Sequence, residues 1–288
     1  MQKQKKVWVI GADSFTGAYL IPALEKDNYR VEITSVDISN AQQVETIMLD
    51  IQPDYIINLA AITFIPDGES AAIYDINTFG PQNILDACLT LPHAPKKIIL
   101  ASSANIYGIQ EQEQIDEQCR PNPINHYGCS KWSMEQIAKT YSDRLHITIT
   151  RPFNYTGKGQ DLKFLVPKIV EHFKQKATTL KLGNIDIWRD FSDVRWVAQA
   201  YVKLLAAPNQ GANIVNLCSG KLTSIRDIIE LLEKITGHSL TIETDSAFVR
   251  PSDIKRQCGN NTKLYNTTSS LTQPIDIKET LKSMLQDK

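Results

Sequence analysis

Val7-Trp8-Val9-Ile10-Gly11-Ala12-Asp13-Ser14-Phe15-Thr16-Gly17 decides the fold. Four apolar residues ahead of a glycine read as a buried strand. Two glycines six apart, followed by a helical pattern, make a turn whose backbone amides and helix N-terminus can face a pyrophosphate. The spacing alone also occurs in ordinary turns; the strand before it and the helix after it favour a dinucleotide site. Ser14 stands where a middle glycine is expected, and it either donates to phosphate or caps the helix. The neighbouring carboxylate of Asp13 is compatible with a bound anion only when it points to solvent.

Outward from this turn, short apolar runs at 31–36, 55–59, 98–100 and 147–149 alternate with helical patterns. Alternation of that kind predicts parallel strands joined by crossover helices. The fold class is α/β: a Rossmann-type doubly wound parallel sheet with a smaller, discontinuous C-terminal substrate domain. Ligands of such sheets gather at the carboxyl ends of the strands. Gly11, Asp37, Ala61, Ser102, Ser103 and the run Arg151-Pro152-Phe153-Asn154 all fall there. After Arg151 the texture changes, with Gly157, Gly159 and Pro167 ahead of a helix over 164–173. A helix over 194–205 and a strand over 214–217 then read as a return to the main sheet. The resulting division places 1–154 and 191–218 in the dinucleotide-binding domain, and 155–190 and 219–288 in the domain for the second ligand. A further helix opens on a Ser224-Ile-Arg-Asp227 capping box and stops at Gly237, a structural signature.

The 288 residues are 42% hydrophobic and 22% charged, the composition of an ordinary globular protein. A formal net charge of −1 offers no broad basic surface, which argues against nucleic acid as a partner. No apolar run approaches the roughly 20 residues of a membrane span, and the apolar start is too short for a signal-peptide core. Cys88, Cys119, Cys129, Cys218 and Cys258 are odd in number and scattered, without a CxxC pair. They predict reduced thiols, a cytoplasmic setting and no metal site.

Chemistry is carried by Ser103 and by Tyr127-Gly-Cys-Ser-Lys131. Tyr and Lys four apart share one helix face, so the ammonium can favour the phenolate of a neighbour whose ordinary pKa is about 10. Such a phenol can protonate a carbonyl oxygen while a nicotinamide gives hydride to the carbon, with Ser103 orienting the oxygen. A lone Tyr-x-x-x-Lys is commonly an exposed helix face. Here Asn122-Pro-Ile-Asn125 supplies a helix start, and Ala101-Ser-Ser-Ala-Asn-Ile-Tyr107 puts hydroxyls just past a strand; either Ser102 or Ser103 could instead be a turn residue. Asp37 has the spacing of the acid that binds an adenosine ribose. The run Asp37-Ile-Ser-Asn40 also resembles the turn that reaches the adenine ring in related proteins, which would leave only Thr34 and Ser35 facing the ribose and remove the repulsion against a 2'-phosphate. NADP is therefore preferred, with NAD as the alternative.

With these motifs on one chain, the sequence resembles the extended short-chain dehydrogenases/reductases that modify nucleotide sugars, almost end to end. Within that class it is most similar to the GDP-4-keto-6-deoxy-D-mannose reductases, through 151–160, 183–194 and Arg250-Pro-Ser-Asp253. The resemblance implies a catalytic set of Ser103, Tyr127 and Lys131. It implies cofactor contacts from Gly11, Ser14, Phe15, Gly17, Asp37, Ile38, Ala60, Ala61, Tyr127, Lys131 and Pro152. Ser103, Asn154, Arg189, Arg250 and Asp253 would hold a nucleotide-diphosphate sugar; guanidinium forks suit a diphosphate. Without the resemblance, Arg189-Asp190 reads equally as an internal salt bridge and Arg250 as a solvated charge. Sugar 4,6-dehydratases on this scaffold resemble one another in a carboxylate two residues before the tyrosine at 107, where this chain has Asn105, with Ala104 beside it. A reductase is therefore expected over a dehydratase, with a 4-epimerase, a reductase for a dTDP-linked or heptose-derived ketone, or an inactive cofactor-binding module as alternatives. The resemblance also implies a homodimer through the helices around 73–89 and 130–141.

Overall fold

A computed structural model describes residues 4–63, 70–208, 213–245, 254–268 and 270–286. In chain order its first part runs β1 (Lys6–Ile10), α1 (Gly17–Lys26), β2 (Arg30–Ile33), α2 (Ala41–Ile51), β3 (Tyr55–Asn58), α3 (Ser70–Tyr74), α4 (Gly80–Thr90), β4 (Lys97–Ala101), α5 (His126–Lys139) and β5 (Ile147–Pro152). There follow β6 (Asn154–Thr156), α6 (Leu165–Lys174), β7 (Thr179–Leu182), β8 (Trp188–Asp193), α7 (Val194–Ala206), β9 (Asn213–Leu217), β10 (Leu222–Ser224) and α8 (Ile225–Thr236). The chain ends through β11 (Thr241–Thr244), β12 (Arg256–Gln257), α9 (Thr262–Thr267) and α10 (Ile277–Leu285).

Six strands form the main sheet in the order β2-β1-β3-β4-β5-β9, each neighbouring pair parallel. The order reverses after β1, the doubly wound pattern that opens a crevice at the carboxyl ends of β1 and β3. Successive side chains on the strands go to opposite faces and both faces are covered. Val7, Val9, Ile57 and Ile99 join α1 and α7 in one core, while Trp8, Ile10, Ile56 and Ile98 join α2, α4 and α5 in another. Each fully buried aliphatic side chain contributes about 1.5–3 kcal/mol. β9 closes the sheet beside β5 with Thr150 opposite Val215, so the expected return of the chain is present.

A third core gathers α6, α8 and α10 with β7, around Ile169, Phe173, Leu180, Ile228, Leu232 and Leu281. A small sheet, β10-β8-β12 with β6 also on β8, lies next to it. α8 carries the full capping box, since Ser224 accepts from the Asp227 amide while Asp227 accepts from that of Ser224. It stops at Gly237, whose φ of 68° is left-handed.

β2 is shorter than its apolar run. The buried indole of Trp8 donates to Thr34 Oγ1 at 2.9 Å, and the strand pairing ends one residue earlier, at Ile33. A buried N–H needs an acceptor, and the Thr34 hydroxyl just past the strand provides it.

Candidate active site

The glycine turn is built for close approach. Gly11 has a φ of +77°, and a Cβ there would lie 2.7 Å from the Ala60 nitrogen; one at Gly17 would lie 2.2 Å from the Ala12 oxygen. Ser14 Oγ accepts from the Gly17 amide at 3.1 Å, so this side chain caps the start of α1. Asp13 is exposed. Phe15 stacks on Tyr155 with ring centroids 6.2 Å apart, and Thr16 shares a 2.8 Å hydrogen bond with the Tyr155 hydroxyl. The turn is thus clasped by β6.

The other cofactor candidates lie around the same crevice. Ala60 and Ala61 are half-buried just past β3, and Pro152 ends β5. Asp37 lies beyond the end of β2, and its carboxylate accepts from the Ser39 hydroxyl at 2.6 Å and amide at 3.0 Å, which holds it below the usual carboxylate range. It is engaged as a turn residue. Ile38 is buried, and a Cβ on Gly80 would come within 2.6 Å of its tip, so this side chain belongs to the core. The backbone at the β2 end therefore presents Ser35, exposed, beside a Thr34 already bonded to Trp8. These surroundings fit a dinucleotide: two places where only glycine allows backbone contact, a helix N-terminus behind them, and alanines opposite.

The reacting groups converge from β4 and α5. Of the two serines after β4, Ser102 is tied away, its hydroxyl donating to the buried Glu135 at 2.6 Å. Ser103 Oγ accepts from the amide and the side-chain nitrogen of Asn105, both at 3.1 Å, and lies near enough to the Tyr127 phenol to pull its pKa down. Asn125 starts α5 by accepting from the Gly128 amide at 2.8 Å. Gly128 is required, since a Cβ there would lie 2.8 Å from the Asn105 oxygen; its absence lets the 3-10 turn Ala104–Ile106 dock against the helix and deliver Ser103 to Tyr127.

Lys131 is buried and its Nζ donates to the Ala101 carbonyl at 2.8 Å. Burial lowers the ammonium from its ordinary 10.5 to about 8, opposed by the charge of Glu135. Tyr127 departs from the expectation of an acidified phenol. Burial raises it to about 12, against the pull of the neighbouring Ser103 hydroxyl, with Tyr155 adding to the rise. The reason is that the ammonium is held on a carbonyl at the strand end while the phenol loses water. At neutral pH Tyr127 therefore keeps its proton.

Three features of the site escape a linear reading. The helix between α3 and α4 contains a π-helical turn, Asp75–Phe79, and Asn77 within it makes bonds to both the amide and the carbonyl of Ile62 at 2.9 Å and to Ser130 Oγ at 3.1 Å. It fixes the loop after β3 to α5. Second, Glu135 and Arg151 form a buried pair 2.6 Å apart. Third, Tyr155 joins the glycine turn to β6. An Arg at the end of an apolar strand and a Glu one turn past Lys131 were visible signals; the partnership across β5 and α5 was not.

A cavity of ≈590 Å³ opens beside β6 and β8. Asn154 and Arg189 line it with Lys163, Lys168 and apolar Leu165, Val166 and Ile187, whereas Ser103, Tyr127 and Lys131 do not. Asp190 does not pair with Arg189. Its buried carboxylate accepts from the Ser219 amide and hydroxyl at 2.7 and 2.6 Å and the Gly220 and Gly259 amides at 2.9 and 3.2 Å. Arg250 and Asp253 lie outside the described residues. Among the described residues no cluster of His, Cys, Asp and Glu could hold a metal ion.

The family model for GDP-mannose 4,6 dehydratase matches residues 1–284. A GDP-6-deoxy-D-talose 4-dehydrogenase of Aggregatibacter actinomycetemcomitans is 35% identical over 288 residues, 98% of each chain. A GDP-6-deoxy-D-mannose reductase of Pseudomonas aeruginosa is 33% identical over 246 residues, 82% of this chain and 80% of the relative. Among solved structures, RMD from Pseudomonas aeruginosa in complex with NADPH superposes with a TM-score of 0.87 at 28% identity, covering 98% of both chains.

Proposed function

Because the chain belongs to the GDP-mannose 4,6-dehydratase family of extended short-chain dehydrogenases/reductases, we propose that it is an NADP-dependent 4-ketoreductase of a GDP-linked 6-deoxyhexulose. The preferred reaction is GDP-4-keto-6-deoxy-D-mannose to GDP-D-rhamnose. One observation carries the choice within the family. Where dehydratases of this scaffold resemble one another in a carboxylate, Asn105 donates its amide to the catalytic Ser103 instead. An amide cannot abstract a proton or expel water by acid catalysis, while ketone reduction asks only for a hydride and one proton. Glu135, a buried carboxylate bonded to the neighbouring Ser102, is also held by Arg151.

A bound dihydronicotinamide supplies the hydride. The protein's share is to hold and protonate the ketone oxygen. Ser103, fixed by Asn105, orients that oxygen; Tyr127, protonated at neutral pH, transfers its proton to it; the Lys131 ammonium beside the strand end offsets the phenolate left behind. Asn154 and Arg189 in the cavity, together with Arg250 and Asp253, serve the nucleotide diphosphate. Thr34 and Ser35, the residues just past β2, carry no charge, and the Asp37 carboxylate beyond them is turned onto Ser39; this favours a 2'-phosphate and leaves NAD as the weaker cofactor.

The test is to mix purified protein, NADPH and GDP-4-keto-6-deoxymannose and follow loss of NADPH absorbance, with NMR of the product. Turnover, abolished in Tyr127→Phe, is expected. The two relatives are named for sugars of opposite configuration at carbon 4, so the product's coupling constants decide which face of the ketone is used. Sugar interconversion with retained NAD and no net oxidation would make the protein an epimerase. Binding of NADPH without either reaction would leave an inactive module. The enzyme is proposed to be a cytoplasmic homodimer: the cysteines are free, no helix among the described residues is long and apolar enough to cross a membrane, and Phe79 is half-exposed between α3 and α4.

A further inference from the structure

Lys131 and Glu135 occupy successive turns of α5, at the spacing where an ammonium and a carboxylate on one helix meet. Both are fully buried, where such an attraction is at its strongest. Yet they do not bond. Lys131 Nζ donates to Ala101 O at 2.8 Å, and Glu135 is taken up by a residue from the neighbouring strand. Arg151 Nε donates to Glu135 Oε1 at 3.0 Å and its Nη2 to Oε2 at 2.6 Å; Ser102 Oγ donates to Oε1 at 2.6 Å. Arg151 is itself locked on its far side, where Nη1 donates to the Tyr107 hydroxyl at 2.9 Å and that hydroxyl donates to Asn216 Oδ1 at 2.7 Å.

We propose that Arg151 is a positioning residue for the reducing centre: by engaging both oxygens of Glu135 it keeps that carboxylate from capturing Lys131, and so leaves the ammonium at the end of β4 for the phenol and the cofactor. The inference rests on Lys131 serving the reaction described above. A fork is needed for this task. A bidentate guanidinium saturates a carboxylate with fixed geometry and keeps its charge when buried, whereas a second lysine would offer a single point charge whose pKa falls on burial.

The surroundings leave few competitors for Lys131. On α5 the titratable neighbours are Tyr127 and Glu135, and from β5 there is Arg151. The 3-10 turn contributes Ser103 and Asn105, the π-helical turn Asn77 and Thr78, and the strand end Ala101 and Ser102, none of which carries charge. Tyr107 and Glu117 lie on the other side of Arg151; Tyr155 raises the Tyr127 phenol, and Tyr127 in turn raises that of Tyr201.

The experiment compares wild type with Arg151→Met and with the double variant Arg151→Met/Glu135→Gln, which removes both charges and so the incentive for capture. Lysine carrying carbon-13 at Cε lets NMR follow the titration of Lys131 directly, assigned by its loss in Lys131→Met. In Arg151→Met the Lys131 titration is expected to move up by about one to three pH units, as an uncompensated carboxylate one turn away requires. The rate of NADPH-dependent reduction should fall at least tenfold, chiefly in kcat. In the double variant both the titration and the rate should return toward wild type. Unchanged Lys131 titration in a folded Arg151→Met, or a folded double variant that stays inactive, would overturn the proposal and leave the pair a structural bond. Wild type that fails to reduce the ketone would defeat the functional reading instead, while the NMR arm still decides whether Arg151 governs Lys131.

Discussion

At the residue scale, the proposed chemistry depends on two groups, Tyr127 and Lys131, shifted in opposite directions by the same cause. Loss of water disfavours charge, so the Tyr127 phenol rises to about 12 and the Lys131 ammonium falls to about 8. A reductase gains from the first shift, because its donor stays protonated across the physiological range. The second sets the limit. As pH rises through about 8, Lys131 becomes neutral in the folded enzyme and the phenolate formed at Tyr127 loses its counter-charge. The kcat/KM for ketone reduction is therefore expected to fall with a one-proton slope above about pH 8, and a profile recorded from pH 6 to 10.5 checks it. A limb at or above 10 would assign the loss to Tyr127 instead. In Lys131→Met the limb should vanish along with most of the rate. For stability the signs differ between the two groups. Between about 8 and 10.5 the unfolded chain binds the Lys131 proton more readily, so this lysine makes stability rise with pH; from 10 to about 12 the folded chain holds the Tyr127 proton more firmly, so this tyrosine makes stability fall.

At the scale of elements, the site depends on one contact between a 3-10 turn and the first turn of α5. Ser103 and Tyr127 are brought together because Gly128 has no Cβ. Gly128→Ala would gain helix propensity of about 1 kcal/mol, but the new methyl would stand 2.8 Å from the Asn105 carbonyl and 3.0 Å from the Pro123 side chain. Backbone cannot move aside as a side-chain tip can, so the turn must shift. The expected outcome is a folded protein with normal far-UV circular dichroism, NADPH binding within a few-fold of wild type and a kcat reduced by about 10²-fold, the size of effect a 1 Å misplacement produces. Retained kcat would show that the docking is slack. The same comparison shows what a sequence can announce. The strand and glycine turn at 7–17, the Asn125 start of α5 and the capping box at Ser224 are local patterns, and each stands where its pattern put it. The small sheet around β8, the π-helical turn that lets Asn77 reach Ile62, and the Glu135–Arg151 pair join residues 15 or more apart through space. Each half of such a contact is unremarkable by itself. The acceptor for the Trp8 indole was hidden for the same reason, since it lies 26 residues away.

At the scale of the molecule, the third core is wired into the main sheet by repeated crossings. The chain passes from β5 into β6, from β8 straight into α7, and from β9 into β10, so no single linker separates the two. The C-terminal segment crosses once more. Leu271 is buried in the core under α7, and the Trp196 indole donates to the Thr272 carbonyl at 2.8 Å; a few residues later α10 inserts Leu281 and Met284 against α6 and α8. Thr280 of α10 donates at 2.8 Å to Asp193, the residue that caps α7, so the last helix grips the junction as well. Leu281 is 0% exposed, and Leu281→Ala should cost about 2–5 kcal/mol, the range for a buried leucine whose surroundings relax only in part. Because the crossings couple the cores, the loss should lower the whole transition. Trp8 and Trp196 sit in the cores of the main sheet, while Trp188 lies on β8. Urea unfolding followed by fluorine NMR of fluorotryptophan at each position in the one protein should give one midpoint shared by all three probes, shifted equally by Leu281→Ala. A Trp188 midpoint that drops while those of Trp8 and Trp196 stay put would mean that the part holding the cavity melts alone, and the crossings would then serve connectivity without cooperativity.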